Sequence, residues 1–157
     1  MSNANLFKQL GVDENLKPLP IKVKQQPLDK YYKATFTPHF QPIPRFEPNV
    51  FMYASFVPDT VSVIGRYHKG NALYQITIVI DQKLESGTYT FMRGEEGPVF
   101  AHVTGTQGFL YGDNGRIKLV RNNIEQSIYA EFKFQIEYED TTYNVDGSLA
   151  LLATGPL

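Results

Sequence analysis

His39, His68 and His102 are the three histidines of the chain, and none stands at metal-ligand spacing from another histidine or a carboxylate. There is no His-Glu-x-x-His run and no cysteine. Disulfides, thiolate nucleophiles and thiolate metal sites are therefore excluded, and no metal or cofactor is expected. Ser2, Ser55, Ser62, Ser86, Ser127 and Ser148 lack a Gly-x-Ser-x-Gly context, and neither type of glycine-rich phosphate loop occurs. One carboxylate pair remains. Glu95 and Glu96 lie in a glycine-flanked loop beside Arg93, where an acid–base pair or a cation site can be built. The simpler reading is a solvated loop whose charges keep the strand ends soluble. Asp113 and Asn114 have no further ligands at calcium-loop spacing, so turn chemistry accounts for them. No catalytic residue is assigned. The candidate binding residues are Tyr129, Arg93, Glu95, Glu96 and His68.

These residues need elements to position them, and the stretch Asn123–Leu152 shows which kind. Ile124, Ile128, Ala130, Phe132, Phe134, Ile136 and Tyr138 fall on even positions, whereas Glu125, Tyr129, Glu131, Lys133, Glu137 and Glu139 fall on odd ones. Side chains alternate across a strand, so this period gives one dry face and one charged face. A helix would scatter the same residues around its whole surface. Asp140-Thr141-Thr142 interrupts the pattern, and Tyr143, Val145, Gly147, Leu149 and Leu151 resume it, which is a long antiparallel hairpin. Tyr129 falls on the charged face, and an exposed tyrosine is a common binding anchor.

Further strands are expected at Tyr31–Thr37, Val50–Val57, Thr60–His68, Ala72–Ile80, Thr88–Met92, Val99–Thr104, Gly108–Tyr111 and Arg116–Arg121. Lys69-Gly70-Asn71 and Asp113-Asn114-Gly115 read as hairpin turns. The result is an all-β antiparallel sandwich of about eight to ten strands with little helix, a closed or partly open barrel being the alternative. Most of the ten prolines fall between Pro18 and Pro58. Residues 1–27 read as a flexible or loosely packed arm with one or two helical turns at Asn5–Leu10. Residues 28–157 read as a single domain whose proline-rich loop, 37–48, lies over one end of the sandwich with Phe40, Ile43 and Phe46 tucked in.

Fifteen basic and sixteen acidic residues leave a formal charge of -1, which argues against nucleic acid and anionic membrane as partners. The apolar runs are too short to span a bilayer, and Met1–Leu10 is not a signal peptide. The chain therefore reads as soluble and cytoplasmic, unless a native leader has been removed.

The succession Ile64-Gly65, Tyr74–Ile80, Gly87-Thr88-Tyr89-Thr90-Phe91, Gly115–Leu119, Ile128–Phe134 and Tyr143–Leu149 resembles a family of small, uncharacterised bacterial β-sandwich or calycin-like domains, many of them lipoprotein-type. The likeness spans residues 60–150. It implies an all-β fold and, because that family has no assigned activity, no catalytic residue. The expected function is a non-catalytic binding or interaction module with a protein or glycan partner. The alternatives are a barrel that carries a small apolar ligand, a hydrolase-type site built from Glu95, Glu96, His68 or His102, and self-assembly into a homo-oligomer through a sheet edge or the proline-rich segment.

Overall fold

The computed structural model describes residues 3–93 and 97–157. A short helix, α1 (Asn3–Gln9), opens the chain, and ten strands follow among the described residues. They are β1 (Tyr31–Thr37), β2 (Val50–Ala54), β3 (Thr60–Lys69), β4 (Ala72–Asp81), β5 (Gly87–Thr90), β6 (Val99–Gly105), β7 (Gly108–Tyr111), β8 (Asp113–Asn122), β9 (Ser127–Tyr138) and β10 (Thr141–Leu152). One sheet runs β1-β10-β9-β8-β5 and the other β2-β3-β4-β6-β7. Every pairing is antiparallel. The two sheets pack face to face as a sandwich and do not close, so the barrel alternative is not the fold. Among the described residues no helix is long and apolar enough to cross a membrane.

The β9–β10 hairpin carries the alternation expected of it. Ile128, Ala130, Phe132, Phe134 and Ile136 are all buried, while Tyr129, Glu131, Lys133 and Glu137 point outward. Its turn falls at Glu139-Asp140, both at positive φ (49° and 63°), one residue earlier than the polar run suggests. Two consecutive positive φ values match the right-handed twist of the flanking strands. Asp113-Asn114-Gly115 corrects the sequence reading, because it is not a hairpin turn. The chain leaves β7 of one sheet, crosses at Gly112 and enters β8 of the other. Asn114 (φ 52°) then sits in a bulge, where the β8–β9 register shifts between Asp113 and Arg116. The residues that tolerate positive φ are spent on an extra residue within a ladder instead of on a reversal.

Aromatic rings fill the space between the sheets. Phe132 and Phe134 stack with centroids 6.0 Å apart, and Phe91 meets Phe134 edge-on at 5.3 Å. Tyr32 reaches across from β1 and donates a hydrogen bond to the Ile76 carbonyl of β4 at 3.1 Å. Its ring occupies the space that a side chain on Gly65 would take, since a Cβ there would lie 2.6 Å from the ring. The proline-rich loop buries Phe40, Ile43 and Phe46 at one end. Phe40 is held by Phe36, Tyr138 and Tyr143 at 5.2, 5.7 and 4.8 Å. Each such buried side chain contributes about 1.5–3 kcal/mol over an exposed one. This interior outweighs the exposed ion pairs of the outer face, such as Lys133–Asp146 at 3.7 Å.

The second sheet is buried on both faces. Outward-facing Met52, Ser62, Ile64, Arg66, Gln75, Thr77, Phe100, His102 and Thr104 are all nearly inaccessible. Part of their cover is the N-terminal segment, whose first residues are anchored. Leu6, Leu10 and Val12 form a buried cluster with Phe7, Leu73 and Phe109 packed against it. The helix ends because Gly11 adopts φ 68°. Gly11 N–H then bonds to Lys8 O at 2.9 Å and Val12 N–H to Phe7 O at 3.0 Å, the paired bonds of a Schellman cap. Arg66 fastens this cap to the sheet. Its Nη2 donates to Gly11 O at 2.9 Å and Leu10 O at 3.3 Å, and its Nε donates to Gln75 Oε1 at 2.7 Å. Gln75 Nε2 donates to Leu10 O at 2.6 Å. Burial pulls the Arg66 pKa down to about 10, which leaves the guanidinium charged at neutral pH. From Lys22 to Leu28, by contrast, most residues are exposed.

Replacing Arg66 with Met leaves the Leu10 and Gly11 carbonyls short of donors. The expected loss is about 2–4 kcal/mol in urea unfolding, with faster proteolysis within the first twelve or so residues of the native state. Equal cleavage rates in the two proteins would show that the N-terminal segment is held by other means. Gly65→Ala should cost about 1–3 kcal/mol by the same measurement, because the Tyr32 ring must move.

Candidate functional site

The outer face of the first sheet is open to solvent, and the strand register lays its side chains out in rows. One row reads Tyr31, Ala150, Tyr129, Val120 across β1, β10, β9 and β8. The next reads Lys33, Ser148, Glu131, Lys118 and, on β5, Thr88. The third reads Thr35, Asp146, Lys133, Arg116, Thr90. Successive rows are two residues apart along each strand, or about 6.6 Å. An aromatic and apolar strip therefore lies beside a band of charge.

A broad groove of about 830 Å³ follows the charged band. It is lined by Ala34, Gly115 and Gly147 together with Lys33, Arg116, Lys118 and Lys133 and the carboxylates Glu131 and Asp146. Four cations thus face two carboxylates in a chain whose formal charge is -1. Lys133 Nζ lies 3.7 Å from Asp146 Oδ2, and Lys33 Nζ stands 5.2 Å above the centre of the Tyr31 ring. Among the described residues Arg116 and Lys118 have no ion-pair partner. The Tyr129 hydroxyl donates to Glu131 Oε1 at 2.8 Å, which pushes its pKa up and fixes the direction of the ring. Tyr129 remains 38% exposed and Val120 48% exposed.

Of the residues singled out in the sequence, the described ones, Tyr129, Arg93 and His68, do not converge. Tyr129 belongs to this face. Arg93 lies beyond the end of β5, with Nη1 3.9 Å from Asp113 Oδ2, and borders a second cleft of about 630 Å³ with Tyr111, Gln135 and Glu137. Glu95 and Glu96 lie outside the described residues. His68 is exposed near the end of β3 in the other sheet, where its backbone N–H and carbonyl pair with the Asn49 side chain at 3.0 Å each. His39 is exposed in the proline-rich loop. Among the described residues no group of three His, Asp or Glu side chains could hold a metal ion. Lys33, Arg116, Lys118 and Lys133 escape a linear reading because they come from three strands separated by up to a hundred residues. Only the register brings them together.

His102 is the unusual titratable group. Its ring is buried against Phe100, Phe109 and Tyr111, with centroids 5.5, 5.9 and 4.6 Å away, and neither ring nitrogen has a hydrogen-bond partner among the described residues. Burial pulls its pKa down to about 4. No family model, curated protein or solved structure matches this chain.

A histidine that is neutral when folded and ordinary when unfolded makes the unfolded chain bind more protons between about pH 4 and pH 6.5. Stability should therefore fall as pH drops through that window, by a total on the order of 3 kcal/mol from this residue. Urea midpoints of the wild type and of His102→Phe, measured from pH 7 to pH 4, test this. The difference between the two curves should change over the window. Parallel curves would mean that His102 titrates normally.

Proposed function

We propose that the protein is a non-catalytic β-sandwich module that binds a glycan on the outer face of its first sheet. The observation that carries this reading is the tyrosine strip lying beside a groove lined by hydroxyl, carboxylate and cationic side chains. Sugar rings present apolar faces that stack on exposed aromatic rings, and their hydroxyls both donate and accept hydrogen bonds. Tyr31 and Tyr129 supply the rings, Glu131, Asp146 and Ser148 the acceptors, and Lys33 and Lys118 the donors. A protein partner fits this face less well. The core of a protein interface is depleted of charge, whereas charge runs through the middle of this groove. The Tyr129–Glu131 hydrogen bond holds one platform ring in place before any ligand arrives, so less side-chain freedom is lost on binding.

Affinity electrophoresis through gels containing neutral and acidic polysaccharides tests the reading. At least one polymer should retard the wild-type protein, and Tyr129→Ala should weaken that retardation about tenfold with the fold unchanged by circular dichroism. Failure of every polymer to retard the protein would overturn the glycan assignment. Retardation that survives Tyr129→Ala and Lys118→Gln together would move the site elsewhere.

A further inference from the structure

We infer that the ligand of this groove is an acidic polysaccharide, a chain whose sugar rings carry carboxylates. The inference rests on the glycan reading above and adds the charge class. A chain with a formal charge of -1 places four cations in one groove and leaves three of them, Lys33, Arg116 and Lys118, without an ion-pair partner among the described residues. Arg116 also faces Lys133 directly across the β8–β9 ladder. Like charges placed opposite each other destabilise a sheet. A bound anion between them turns that repulsion into attraction.

The layout suits a linear ligand. Lys33 and Lys118 stand on one row, on β1 and β8 with β10 and β9 between them. At about 4.8 Å per strand they are about 14 Å apart, a span that accommodates several sugar rings in line. Tyr31 and Tyr129 line the neighbouring row about 6.6 Å away, where ring faces can rest while the carboxylates reach the cations. The alternative polyanion is a single-stranded nucleic acid, which also uses aromatic rings and cations. Glu131 and Asp146 argue against it. Each lies beside a cation of its row, Glu131 beside Lys118 and Asp146 beside Lys133, where it can accept hydrogen bonds from sugar hydroxyls. A phosphodiester backbone offers these carboxylates only more negative charge, with no hydroxyl donor in DNA. The groove is therefore mixed in sign, as a ligand bearing both hydroxyls and carboxylates requires.

Titration calorimetry on the full chain can test the charge class with polygalacturonate, alginate and hyaluronate as acidic probes. Carboxyl-reduced polygalacturonate is the neutral control, and single-stranded oligo(dT) represents the other polyanion. At least one acidic polymer should bind at least tenfold more tightly than the reduced polymer, and raising salt from 20 to 300 mM should erode that advantage. Arg116→Gln with Lys118→Gln should weaken binding of the acidic polymer at least tenfold. Exchanging the two cations, Arg116→Lys with Lys118→Arg, should stay within about threefold of wild type, which separates charge from folding. Equal binding of the reduced polymer, still dependent on Tyr129, would overturn the acidic assignment and leave the glycan reading standing. Tighter binding of oligo(dT) than of every uronate polymer would overturn both, as would an absence of binding to every polymer.

Discussion

Tyr32 joins the two sheets through a hydrogen bond and a close packing contact. It belongs to β1 of the first sheet, yet its hydroxyl donates to the Ile76 carbonyl of the second, and its ring fills the space left by Gly65. The same ring meets Phe132 edge-on at 6.1 Å and Phe46 of the proline-rich loop at 5.9 Å. One side chain thus ties the spacing of the sheets to the position of the loop that closes their end. Burial pushes the Tyr32 pKa well up, so the hydroxyl stays a donor across any physiological pH. Arg121 works in a related way elsewhere. From β8 its guanidinium donates to Tyr53 Oη at 3.2 Å and to the carbonyls of Gln82 and Leu84 at 3.0 and 2.8 Å.

With the inner faces fixed together, the outer faces decide what the molecule can do. The second sheet has spent its outer face on burial. Arg66 and Gln75 bind carbonyls of the N-terminal segment, and the polar groups beneath, His102, Ser62 and Thr104 among them, are removed from solvent. Several of these atoms lack partners among the described residues, a cost that packing elsewhere offsets. The first sheet alternates cleanly between a dry face and a wet one. Its wet face is therefore the broad sheet surface that stays open to solvent, and the charge found there is a choice of residues rather than a demand of the fold.

The alternation of β9 and β10 could be read directly, because a period of two needs only local sequence. The strand positions from Val50 to Tyr111 followed from the same rule and from turn residues. Asn114 shows where that rule stops. Positive φ was foreseeable at Asp113-Asn114-Gly115, but whether it made a turn or a bulge depended on which sheet the next strand joined. The N-terminal residues show a second limit. Leu6, Leu10 and Val12 carry a short apolar signal, and the prolines that follow suggest a loose arm. What holds the segment is Arg66, fifty-five residues away from Gly11. The groove was hidden for the same reason. Glu131 and Lys133 look like any solvated strand face until pairing sets them beside Lys118, Arg116, Lys33 and Asp146.

The described residues near both ends of the chain contact the second sheet. The N-terminal segment lies over its outer face, and Thr154 and Pro156 pair with Tyr53 and Ser55 along the β2 edge, with N–H to carbonyl distances of 2.9 and 2.8 Å. The groove opens from the opposite wall of the sandwich. A bead or surface that grips the N-terminal segment would therefore hold the molecule by its back. Immobilisation there would leave the cationic face pointing outward.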